Sequence, residues 1–209
     1  VQKDQFQRAK QEAEDEQKLE ELLPIAPVEL SMDEALLIQE KEMVRLLINY
    51  GWEKLDQDGL HLGQYLLDET EEIEFHTPIY RKIWTTYRAK LSQGEVPTYE
   101  YFLETGDAEI KQEIIGLITP RYEISNYWHD KHQIFINKES DDLTQTVYKS
   151  ILRLKRRMVQ KMMEDTKQKL KLAEQEKVGE EGVFELQQIY FELKKVQVEI
   201  DKELGIVIG

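Results

Sequence analysis

Apolar residues recur along most of this chain at three- and four-residue spacing, the period of one face of an α-helix. After Ser31-Met32-Asp33-Glu34, which has the form of a capping box, come Leu36, Leu37, Met43, Val44, Leu47 and Ile48. That pattern predicts a helix over 31–50, ending near Asn49-Tyr50-Gly51 with Gly51 as a left-handed terminator. Further helices are predicted from Leu62 to about Glu72, and from Thr77-Pro78 to Leu91 with Gly94 as the stop. A short one opens at Thr98 and runs through Leu103, and another runs from Asp107 to Ile118, closed by Pro120. Thr77 and Asp107 are the expected N-caps. Residues 128–135 fit either a helix or a brief extended piece. The short connections are those of neighbours in a helical bundle.

The final third has a different pattern. No Pro or Gly interrupts residues 140–177, and Leu143, Val147, Ile151, Leu154, Met158 and Met162 continue one stripe. Gly179 and Gly182 flank an expected break. From Val183 to Leu204, the residues Leu186, Ile189, Tyr190, Leu193, Val196 and Ile200 follow a near-heptad. Two long helices joined by a short Gly-flanked loop predict an antiparallel hairpin. At the other end, residues 1–23 read as a charged helix with few apolar anchors, and PIAPVEL (24–30) as a linker whose two prolines forbid a continuous helix. The expectation is therefore an all-α chain: a lead-in and linker (1–30), a helical bundle subdomain (31–150) and a helical hairpin subdomain (151–209).

Composition agrees with long helices: of 209 residues, 33% are charged, with only 10 Gly and 5 Pro. There is no Cys, which excludes a disulfide framework and thiolate metal sites and fits a reducing, cytoplasmic setting. No run of ~18 apolar residues is present, so no membrane span is expected. No signal-peptide pattern or initiating Met opens the sequence, and the chain reads as a piece of a longer protein.

The net charge of -14 is unevenly spread: -6 over 1–50, -9 over 51–150 and +1 over 151–209. The acidic part repels a phosphate backbone at long range, so nucleic-acid contact is expected to be weak or absent.

Motifs for chemistry are sparse. His129 and His132 have an H-x-x-H spacing that places both rings on one helix face, but no third ligand is indicated, and a structural role is expected. Glu71, Glu72 and Glu74 form an acidic cluster that reads as a solvated helix end. Trp52, Trp84 and Trp128 are expected in the core. The sequence has no Gly-rich phosphate loop, no G-x-S-x-G and no H-E-x-x-H, and no catalytic, metal or cofactor-binding residue is assigned.

The distinctive stretch is ILRLKRRMVQKMM (151–163), with five cations and no acid. Three readings stand side by side: a solvated amphipathic helix whose basic stems cover apolar surface, a nucleic-acid contact, and a flank of a protein interface. Met158, Met162 and Met163 beside the arginines suit the last. Candidate partner contacts are Arg153, Arg156, Arg157, Lys161, Phe184, Tyr190, Phe191 and Lys194. A dimerising adaptor using the 183–204 heptad is a further alternative.

The helix containing QEKEMVRLLINYG (39–51), the bundle after it, the long helix, and a hairpin ending KELGIVIG (202–209) together resemble a known arrangement. It is that of the C-terminal helicase-binding region of bacterial replicative DNA primase, in the version found in Bacteroidetes-type bacteria. The resemblance covers about residues 31–209. Its strongest local pieces are Glu42, Arg45, Leu46 and Leu47, and Glu203-Leu204-Gly205 followed by two β-branched residues. It implies a module without catalytic activity of its own and without a cofactor. It also implies a partner, the N-terminal collar of the hexameric replicative helicase, through which primase is recruited to the fork for primer synthesis.

Overall fold

The computed structural model describes residues 30–55, 60–119, 139–175 and 180–206. The expectations for 1–23, the linker, the 128–135 segment and the His129/His132 pair lie outside these. The chain divides into a unit at 1–31 and a unit at 32–209, and the second is described here. Its described residues form seven α-helices and no strand: α1 (Met32–Tyr50), α2 (Leu62–Glu69), α3 (Pro78–Leu91), α4 (Tyr99–Thr105), α5 (Ala108–Ile118), α6 (Leu143–Gln175) and α7 (Glu180–Glu203). The fold is all-α, as its periodicity predicts. A 3-10 turn, Glu139–Asp142, leads into α6.

Helix α1 is central and packs on α2, α3, α5 and α6. Its position explains why Leu46, Leu47 and Ile48 are all buried, three residues in a row and so on more than one face. Leu37, expected in the core, is exposed; Ala35 and Glu40 are buried instead. Phe75 and Trp84 stack at 4.6 Å, and Tyr87, Phe102, Ile110 and Ile114 complete the interior with the first half of α6. Trp52, also expected in the core, is 53% exposed; it lies in the turn after α1, where its indole N–H donates to the Asn49 carbonyl at 3.1 Å.

Several helix ends differ from expectation for tertiary reasons. Gly51 does not take a left-handed conformation; only Gly94 and Gly205 have positive φ among the described glycines. Instead, a Cβ at Gly51 would meet the Tyr87 hydroxyl at 2.5 Å, so the residue is small to admit that ring. Thr77 occupies the N-cap of α3, but its side chain makes no capping bond. The buried Glu40 carboxylate from α1 does that work, accepting from the His76 and Thr77 backbone N–H groups, the latter at 2.9 Å. Asp107 caps α5 as expected, accepting from the Ile110 N–H at 2.9 Å. Gly182 lies inside α7 rather than at its edge.

Two ends are Schellman motifs built on left-handed glycines. In one, Gly94 N–H donates to Leu91 and Glu95 N–H to Lys90. In the other, Gly205 N–H donates to Lys202 and Ile206 N–H to Asp201.

Candidate partner-binding surface

Helix α6 begins in the bundle and then pairs with α7. Its first half buries Leu143, Val147, Ile151 and Leu154 against the bundle. Its second half buries Val159 and Met163 against α7, with Ile200. Leu152 and Val159, seven apart, share a face that lies one residue, or about 100°, around the helix from Ile151. The expected stripe therefore breaks: Met162 continues the bundle-facing side past the end of the bundle and is 50% exposed, and Leu172 further on is 55% exposed. The near-heptad of α7 breaks for the same reason. Tyr190, Leu193, Ile200 and Leu204 pack on α6, whereas Ile189 and Val196 are exposed.

The basic run proves to be largely paired within the chain. Arg156 Nε donates to the buried Asp201 carboxylate at 2.5 Å, joining the two hairpin helices. Lys155 pairs with Glu69 at 2.9 Å and Lys161 with Asp33 at 2.6 Å, tying α6 to α2 and α1. The Lys161 hydrogen bond and then its charge hold the exposed Asp33 carboxyl below its usual range. Arg157 donates to Gln160 at 3.0 Å. Burial, followed by the neighbouring Arg156 charge, pushes its guanidinium below its ordinary value.

Arg153 is exposed and, like Lys149, has no ion-pair partner among the described residues. These two, with Arg156 and Arg157, line a groove whose apolar edge is Leu204 and Ile206. Lys149 was absent from the sequence-based candidates, although it lies one helical turn before Arg153.

The aromatic candidates separate. Phe184 and Phe191 are 58% and 68% exposed, on the side of α7 away from α6. Tyr190 is partly buried in the hairpin, with Lys167 Nζ 5.8 Å above its ring. Lys194 bonds Gln197 at 3.1 Å on its own helix. The structure thus gives the eight candidates two settings: a basic groove at the hairpin base with Lys161 beyond it, and an apolar strip on α7.

The residues that carried the resemblance have local structural roles. Arg45 donates through two nitrogens to Glu42, each at 2.8 Å, and through two to Glu139 in the 3-10 turn. The Tyr50 hydroxyl donates to Glu139 at 2.9 Å. Burial raises the Glu139 carboxyl, but the Arg45 hydrogen bonds and charge, with Tyr50, outweigh it and hold the group below its ordinary value. Leu46 and Leu47 are core, and Leu204-Gly205-Ile206 forms the stop of α7.

Among the described residues no three His, Asp or Glu side chains converge as a metal-binding group, and no helix is long and apolar enough to cross a membrane. A protein-family model, described as a domain of unknown function, matches residues 28–207. No curated protein and no solved structure matches the chain.

Proposed function

The chain belongs to the DUF8430 family, a domain of unknown function, and we propose that it is a protein-interaction module that binds the replicative hexameric helicase and recruits primase to the fork. The observation that carries the interaction reading is the outer half of the hairpin. It projects past the bundle, and Met162, Leu172, Phe184, Ile189, Phe191 and Val196 stand exposed on it. Phe184 and Phe191, two large rings exposed two helical turns apart on this projecting element, support an interaction surface there. The choice of helicase as partner rests on the resemblance of residues 31–209 to the primase C-terminal region. Aromatic anchors such as Phe184 and Phe191 would carry most of the binding energy, and the several collar sites of a hexamer would raise the apparent affinity.

The groove of Lys149, Arg153, Arg156 and Arg157 favours a second reading, contact with single-stranded nucleic acid. The two separate by salt. Calorimetric titration into the replicative helicase of the same organism is expected to show binding that survives moderate salt. No binding at low or moderate salt removes the helicase reading. Binding to single-stranded DNA that collapses as salt rises would favour the groove as a phosphate site.

A further inference from the structure

Residues 71–75, in the turn between α2 and α3, lie against the face of α3 that carries Arg81, Trp84 and Arg88. Together they enclose a cavity of about 250 Å³. Its walls are Ile73, half-buried, and Phe75 and Trp84, both buried. Its rim is charged and exposed: Glu71 and Glu74 from the turn, Arg81 and Arg88 from α3.

Trp84 is 4% exposed and is held by the Phe75 ring, yet its buried indole N–H has no acceptor. A buried tryptophan N–H ordinarily finds a partner, because an unmet donor costs the full loss of its hydration. Trp52, though half exposed, has one in the Asn49 carbonyl. The rim is unmet in a second way. Its two acids and two arginines line one cavity, but none of the four forms an ion pair among the described residues. Arg81 Nε donates to the Phe75 carbonyl at 2.6 Å, which fixes its stem at the edge and leaves its terminal nitrogens without a partner among the described residues.

We propose that this cavity binds a free α-amino acid with an apolar side chain. The carboxylate lies between Arg81 and Arg88 and accepts the Trp84 N–H, the ammonium turns toward Glu71 and Glu74, and the side chain packs on Ile73 and Phe75. A rim with two charges of each sign suits a molecule that carries both signs, and disfavours a simple anion or cation of the same size. The volume falls just below the ~300–1,000 Å³ of common ligand clefts, which limits the occupant to about one residue. None of the lining residues belongs to the basic groove or to the exposed side of α7, so the proposal does not depend on the helicase reading.

The test is titration of the full chain with leucine, followed in proton–nitrogen correlation spectra. The Trp84 indole resonance, identified by its nuclear Overhauser contacts to Phe75, is expected to move downfield at millimolar leucine, while that of Trp52 stays in place. Isocaproate, which lacks the ammonium, and isoamylamine, which lacks the carboxylate, are each expected to bind about fivefold more weakly, the scale of one exposed ion pair. Arg88→Gln and Glu74→Gln are expected to weaken leucine by about the same factor, with the far-ultraviolet circular dichroism unchanged because neither side chain has a partner within the described residues. A Trp84 resonance that leucine does not move up to its solubility limit overturns the proposal. So does leucine binding that Arg88→Gln and Glu74→Gln leave intact, or an analogue lacking either charge that binds as tightly as leucine.

Discussion

Gly63 has no side chain because Tyr87 fills its space: a Cβ there would lie 2.5 Å from the Tyr87 hydroxyl and 2.9 Å from the Gly51 carbonyl. Gly63→Ala is therefore expected to lower stability by ~1–3 kcal/mol, the usual cost of overpacking, measured by urea unfolding. Gly116 in α5 is the counter-case, with nothing within 4 Å of its Cβ position. Gly116→Ala should raise stability by ~0.5–1 kcal/mol, since helical Ala loses less backbone freedom than Gly. Sequence alone shows two glycines; only the approach of Tyr87 separates their roles.

Glu139 gives a residue-scale pH dependence. Its carboxyl is held below the ordinary value in the folded chain, so its contribution to stability is complete above the unfolded pKa of about 4.3. That contribution is lost as pH falls through the lower folded value. Glu139→Gln should flatten the decline of stability with acid in that window, and a variant that declines as steeply as the parent would count against the Arg45–Glu139 tie. The partner of Arg45 across 94 residues was not legible in sequence, where only Glu42 stands at helical spacing from it.

At the scale of elements, the helices themselves were legible because backbone hydrogen bonding and apolar period are local. The register of each face was not. Helix α6 serves two neighbours on two faces, so the single stripe expected through Met158 and Met162 holds only as far as the bundle extends. The hairpin is closed by Arg156–Asp201 as well as by apolar packing. Asp201→Ala strands a partly buried guanidinium and should cost ~1.5–3 kcal/mol, the range for a hydrogen bond to a charged group. Amide hydrogen exchange is expected to place that loss in α7 and the second half of α6, leaving α1 and α3 protected. Phe184→Ala with Phe191→Ala should change stability by under ~0.5 kcal/mol, because both rings are exposed, yet weaken helicase binding. Tyr190→Ala, by contrast, is expected to loosen the hairpin. Both are candidate contacts in the sequence, but in the fold Tyr190 faces the hairpin interior and Phe191 faces outward.

For the whole molecule, the sequence by itself determined the all-α class, the positions of seven helices to within a few residues, and the hairpin at the C-terminal end. It also determined the charge contrast between an acidic front and a near-neutral final third. These follow from near-neighbour physics: helical period, caps, and the glycines at 94 and 205 that take the left-handed turn. Tertiary structure alone decided which cations of 151–163 find an acidic partner within the chain. Lys161 meets Asp33 across 128 residues and Lys155 meets Glu69 across 86. A run of five cations reads as one feature in sequence because it is continuous along the chain. In the fold an α-helix sends successive side chains about 100° apart, so each reaches a different neighbour, and what is left to meet a partner is decided by which neighbours are acidic.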